Sequence, residues 1–361
     1  MFDESVHNTI KRKNKIFAVC VTVCILVFTT VRMILTRFCI DSVAHFYKLP
    51  ENPNLMTRIL VSFFDYIVAG CVIAIYLISF FIYKRRKENH KYNETADCFV
   101  QGTQSQVFSA SLTGFLFISI SVFQLYYFIN PGDTKGLTLQ EAVKMQPVIE
   151  AVKTQPVIYL ESLRLSDRFI EYIQKFPFDF LIFFVSILSA VYFFKTAILN
   201  FDIGETAAPS ENKPETGPED IEKERAAAAS YKYSSAHIVF SFMPIVWSFL
   251  NIFKCFFDMS KAVNSPVRIY ELLSFLALSA YFVSESRMVV GRLETSRFFT
   301  FAYIALIVAA VSSLPNLIWS AFGRFGINNH QIIYAAQLSL VVYMLSRVYS
   351  QIRYGRFLLQ R

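Results

Sequence analysis

Tryptophan is nearly missing from this chain, with 2 residues in 361, and charged residues make up only 17%. A soluble domain carries about 25% charged residues, so this chain has too little charge to wet the surface of a globular fold of its length. The motifs of common chemistries are absent as well. There is no GxxxxGK[ST] phosphate loop, no GxGxxG, no HExxH, no GxSxG and no CxxC. The histidines His7, His45, His90, His237 and His330 are dispersed and lack ligand spacing. No catalytic residue, cofactor site or metal site is expected, and the chain reads as a non-enzyme.

A disulfide framework is missing too. Cys20, Cys24, Cys71 and Cys255 fall in apolar runs and Cys98 on the expected inner side, which leaves Cys39 outside with at most Cys255 as a partner. Apolar packing is the plainer role for all of them.

What the chain does have is apolar length. Hydrophobic residues are 54% of the total, 38 of the residues are Phe, and mean hydropathy is +0.41. They gather into runs over 16–35, 59–83, 107–129, 178–199, 238–257, 267–283, 298–318 and 331–350. A membrane-spanning helix needs roughly 20 apolar residues, so the expected fold is an all-α polytopic bundle of about eight transmembrane spans. Helices are favoured because every backbone N–H and C=O must be satisfied inside the lipid, and the runs are too uniformly apolar for barrel strands. The sixth run is short for a span and the eighth somewhat polar.

Charge placement orients the bundle. With the N-terminus inside, the inner segments carry Lys11, Arg12, Lys13, Lys15, Lys84, Arg85, Arg86, Lys87, Lys91, Arg287, Arg292, Arg297, Arg347, Arg353, Arg356 and Arg361. The short outer loops carry only Arg37, Lys48, Arg58, Lys261, Arg268 and Arg324. Cationic residues favour the cytoplasmic side, so N-in and C-in is expected, in a cell membrane and most naturally the bacterial cytoplasmic one. The same spread explains the net charge of +8 without nucleic acid, since no basic arm exists. The first run has no small-residue cleavage site after it and reads as a retained anchor. Asn93-Glu94-Thr95 matches a glycosylation sequon on the expected inner side, where it reads as chance.

Two stretches interrupt the pattern. Residues 204–235, rich in Glu, Pro and Ala, read as a disordered acidic cytoplasmic linker between a first half (1–203) and a second half (236–361) of four spans each. Two four-span halves entering from the same side would suit a parallel internal repeat. However, Ser105-Gln-Val-Phe and Ser296-Arg-Phe-Phe, which occupy equivalent places, are no more alike than chance allows. The outer loop 130–177 holds a tandem duplication, EAVKMQPVI then EAVKTQPVI, which an exposed loop tolerates without needing a role for it. After it, Ile158, Leu165, Phe169, Ile173 and Phe176 form an amphipathic stripe suited to packing on the bundle's outer surface.

The residues that point to function are ionisable groups within the spans, which are costly there unless paired or hydrated. They are Arg32, Asp65, Lys195, Lys254 and Glu271, with Asp179 at the outer mouth of the fourth span. Lys195 is placed to snorkel, and Glu285, Arg287 and Arg292 to sit at the inner interface. Arg32 is expected to pair with Asp65 and Lys254 with Glu271, each across consecutive spans in the outer leaflet. Ser111, Gly114, Ser121 and Gln124 make a polar stripe on the third span, Gln337 adds an amide to the eighth, and Ala305, Ala309 and Ser313 form a small-residue ridge before Pro315. Small and hydroxyl residues serve close helix contacts at least as readily as a solute path.

Three functions compete on these grounds. The leading expectation is a non-enzymatic interaction or accessory subunit with a membrane-protein partner. The alternative is a small-solute or ion transporter working through the charged groups. A membrane enzyme acting on lipid is third.

Overall fold

The computed structural model describes residues 4–40, 47–49, 53–84, 103–129, 177–207, 234–257, 265–290, 295–321 and 329–354. Among them the chain is an all-α bundle: α1 (Glu4–Phe38), α2 (Leu55–Lys84), α3 (Gln104–Ile129), α4 (Pro177–Ala207), α5 (Ser235–Ser241), α6 (Met243–Phe257), α7 (Pro266–Val289), α8 (Thr295–Ala321) and α9 (Asn329–Tyr354). Eight stretches are long and apolar enough to cross a membrane, with α5 and α6 together making the fifth. The chain is a multi-pass integral membrane protein. The duplication and the amphipathic stripe of the 130–177 loop lie outside the described residues, as does the linker between 208 and 233.

Local sequence explains the helix ends. Pro177 opens α4 and Pro266 opens α7, first-turn positions where a missing N–H costs nothing. Ser265 caps α7 by accepting the Arg268 N–H at 3.3 Å, and Ser234 caps α5 by accepting the His237 N–H at 3.2 Å. The fifth span breaks at Phe242 because Pro244 follows. Proline cannot donate to Phe240 O, so the turn tightens and the Phe242 N–H reaches Val239 O at 3.2 Å instead. The sixth and eighth spans exceed expectation, reaching Val289 and Tyr354. Their extra turns are polar, and burial within the bundle stabilises them where hydropathy does not.

Hydroxyls inside the spans are satisfied locally. Thr22 and Thr30, on faces exposed beyond the bundle, donate to Ala18 O and Leu26 O one turn back, at 2.9 and 2.8 Å. Such back-bonding lets a hydroxyl face lipid without an orphan donor.

Packing sorts the spans into a ring and an attachment. In the cyclic order α3, α4, α6, α7, α8, α9 and back to α3, each helix lies along the next. α1 lies on α8 and touches α9, while α2 rests on α8. Consequently 83% of the most apolar window of α8 is buried against 17% for α2, which makes α8 the wall shared by ring and attachment. Its Ala302, Ala305, Ala309 and Ser313 are fully buried, as expected of small residues where helices approach closely. The α3–α4 seam is tight at Gly114, where an added Cβ would lie 3.0 Å from the Phe194 ring.

The start of α3 and the end of α9 lie together, Thr103 Oγ1 being 3.1 Å from Ser350 Oγ. This end of the bundle, where α1 also begins, is the terminal face. The opposite end, where α1 finishes and α7 begins, is the far face.

Candidate functional site

One face of α7 carries the site. Glu271, Ser274, Phe275, Leu278, Phe282 and Glu285 follow one another at helical spacing and are all buried. Several of the groups they touch come from helices that are not α7's neighbours in the ring. From α9, Tyr334 donates to Glu271 and Gln337 Nε2 donates to Ser274 Oγ at 2.9 Å. From α4, Phe193 packs on Phe282, ring centres 6.1 Å apart, and Tyr192 reaches Glu285. Side chains that meet across non-adjacent helices occupy the interior of the ring. Its contents change along the axis from acidic, to aromatic, to an ion pair.

At the far face the interior is a narrow cleft lined by Asn251, Lys254, Cys255, Glu271, Phe275, Ile333 and Tyr334. Glu271 is 2% exposed, takes the Tyr334 hydroxyl and lies 3.8 Å from Cys255 Sγ. Lys254 and Glu271 line the same cleft. The Lys254 ammonium is in addition seated on the Asp179 carboxylate at the start of α4, an acid remote in sequence that the packing of α4 against α6 brings close. Cys39 and Cys255 are not joined by a disulfide.

Below the cleft, aromatic rings close the interior. Trp247 packs on Phe117 at 4.7 Å and on Phe275 at 5.6 Å, while Phe193 packs on Phe117 at 5.3 Å and on Tyr343 at 5.1 Å. Trp247, Phe117, Phe193, Phe275 and Phe282 are all at most 1% exposed. They separate two carboxylates that lie about 21 Å apart along α7, at 1.5 Å per residue.

Towards the terminal face stands Glu285, 1% exposed rather than interfacial as expected. Its Oε1 accepts from Tyr343 at 2.5 Å, from Tyr192 at 3.0 Å and from Arg347 Nη2 at 3.2 Å. Oε2 accepts no hydrogen bond among the described residues. Sequence reasoning missed this pair because SESRMVVGR reads as a helix end and Arg347 as one more inner cation. A signal was present: Glu285 is fourteen residues, two heptads, beyond Glu271 and so shares its face.

Arg32 and Asp65 are brought together as expected, but outside the ring. Arg32 Nη1 lies 3.8 Å from Asp65 Oδ1, and the Tyr47 hydroxyl stands between them, 2.5 Å from Arg32 and 3.0 Å from Asp65. Tyr270 also donates to Asp65 at 2.9 Å while its ring lies 4.4 Å beneath the guanidinium. Tyr47 is held there by a bridge with Ile40, closed by the Lys48 N–H on Cys39 O at 2.6 Å. Burial, with the Asp65 charge adding to it, raises the Tyr47 hydroxyl above its ordinary range, so it stays a donor. Burial likewise keeps Cys39 a thiol. The cluster ties α1, α2 and the segment between them to α7, whose next residue, Glu271, turns into the ring.

A buried Arg32 deprived of its acid is costly, so Asp65→Ala is expected to lower detergent stability by about 1–3 kcal/mol, with Arg32→Leu/Asp65→Ala losing less than the two single changes added. Thermal melts of both singles and the double check this. Strictly additive losses would show that the pair is not coupled.

The remaining expected residues serve helix contacts or stand apart. Ser121 donates to Phe183 O at 3.1 Å across the α3–α4 seam, and Ser111 is partly buried. Gln124 is buried, and its Oε1, like that of Gln337, accepts no hydrogen bond among the described residues. Lys195 lies over the Phe240 ring at 5.6 Å. Among the described residues no group of three or more His, Cys, Asp or Glu is arranged to hold a metal ion. No known protein family, curated protein or solved structure matches the chain.

Proposed function

We propose that the six-span ring moves a small organic cation across the membrane, and that the arrangement described is its closed state. The observation that carries this reading is the position of Glu271, Ser274 and Glu285 on one face of α7, turned to the ring interior and met there by side chains of α4 and α9. Charges kept inside a membrane bundle are expensive and typically line a path for solutes or ions. Helix-to-helix fastening alone would not require them to share one axis.

The cleft suits a cation. Two carboxylates, Glu271 within it and Asp179 on Lys254 at its edge, stand at the cleft against the single Lys254 ammonium that lines it. Phe275 adds a ring face and Asn251 an amide, a combination that accepts a small ammonium group. Closure by rings is reversible, because aromatic side chains can swing between rotamers when the helices behind them shift.

The test is uptake of labelled methylammonium and choline by proteoliposomes containing the full chain. Uptake well above protein-free vesicles is expected, with Glu271→Gln reducing it by about tenfold or more, since a neutral amide loses the charge attraction. Absence of uptake by folded, reconstituted protein would reject the reading. A second reading, an accessory subunit, is favoured by one observation: α2 presents Leu55, Met56, Phe63, Tyr66, Ile67 and Ile73 away from the bundle. A stoichiometric partner retained in mild detergent, lost when this row is changed, would support it.

A further inference from the structure

We infer that Glu271, Asn251 and Gln337 form one binding site for a cation that carries N–H groups, ammonium or a small protonated primary amine, and that Gln337 selects it over quaternary ammonium. This deepens the transport reading and rests on it for the traffic through the ring. The site itself is testable by binding alone.

The amide of Gln337 is oriented by its neighbours. Ser274 Oγ gives its only proton to Glu271 O at 2.8 Å. Its oxygen can then only accept, and what it accepts is Gln337 Nε2 at 2.9 Å. A reversed amide would set two oxygens against each other, so Oε1 is the free end. Gln337 is fully buried, and its Oε1 accepts no hydrogen bond among the described residues. A buried acceptor left in this state is costly, and a donor that visits it removes the cost.

Asn251 is fixed in the same way. Its Nδ2 donates to Trp247 O at 2.8 Å, which leaves Oδ1 as the acceptor it offers the cleft it lines. Tyr334 and Gln337 stand one turn apart on α9, as Glu271 and Ser274 do on α7, and the two pairs join in the same order. The Gln337 amide therefore belongs to the level just beneath Glu271, about 4.5 Å deeper at 1.5 Å per residue.

The donor set decides the ligand class. One carboxylate and two amide oxygens are directional acceptors, which N–H groups use and methyl groups do not. A quaternary ammonium is held by charge and ring faces alone, so it gains nothing from Gln337. Hard metal ions usually take about six oxygens or more. Three oxygen-bearing acceptors beside the apolar Phe275 and Ile333 fall short of that.

Cys255 lines the cleft and lies 3.8 Å from Glu271, so a bound cation should shield it. The full chain is reconstituted and treated with methyl methanethiosulfonate at constant ionic strength, and mass spectrometry reads position 255. Methylammonium is expected to slow the reaction at about tenfold lower concentration than tetramethylammonium or potassium does, as one charge-assisted hydrogen bond implies. Gln337→Met should erase that preference and leave the response to tetramethylammonium as it was. Equal shielding by methylammonium and tetramethylammonium in the parent, or none by either, overturns the proposal whether or not the variant folds. So does equal shielding by potassium, and so does a preference that survives in folded Gln337→Met. Methylammonium uptake without preferential shielding would overturn this site and keep the transport reading, whereas preferential shielding without uptake would do the reverse.

Discussion

Arg347→Ala is expected to destabilise the folded chain by about 3–5 kcal/mol, the usual cost of stripping one partner from a buried ion pair. The Glu285 carboxylate would keep its hydrogen bonds from Tyr192 and Tyr343 but lose the charge 3.2 Å away. Water cannot replace that charge at 1% exposure. Glu285→Gln/Arg347→Met should recover most of the loss, because paired apolar and neutral replacements leave no orphan charge. Thermal unfolding of the three proteins in one detergent checks both statements. Equal losses for Arg347→Ala and the double variant would show that the pair contributes shape and not charge.

Trp247→Ala is expected to have a comparable cost, about 3–5 kcal/mol, together with a leak. Trp247 is fully buried between Phe117 and Phe275, where aromatic rings fill the ring interior. Between membrane helices the driving force is packing and not exclusion of water, so the loss is counted in dispersion contacts that no neighbour can recover. The indole Nε1–H donates to no partner among the described residues, so Trp247→Phe forfeits no hydrogen bond there and should cost much less. The cavity left by alanine joins the cleft below Glu271 to the level of Tyr343. Proteoliposomes carrying it should pass small ions that the parent retains. A tight but destabilised variant would place the barrier elsewhere in the ring.

Membership of the membrane class was legible because it depends on composition and run length, which one chain displays in full. All eight spans were found from apolar runs, and most boundaries fell within a few residues. The exceptions were physical: α7 continues past Val283 through Ser284, Glu285 and Ser286, residues that only a bundle interior tolerates. The pairing of Arg32 with Asp65 was also readable, since antiparallel spans joined by a short connection place equal depths side by side. The same argument brought Lys254 and Glu271 to one cleft but did not foresee Asp179, which the adjacency of α4 and α6 places on Lys254.

The sequence by itself therefore determined what depends on chain-local quantities: class and spans. The tertiary structure decided which helices are neighbours, since apolar helices in lipid carry no pattern that names a partner and their order around a ring follows from the fit of small and large side chains. That order turned Glu271 and Glu285 onto a common axis and left Arg32 and Asp65 outside it. It also converted Ser121 and Gly114 from a stripe into a seam. Burial did the rest, because Glu285 and Arg347 are ordinary helix-end residues until two other helices cover them.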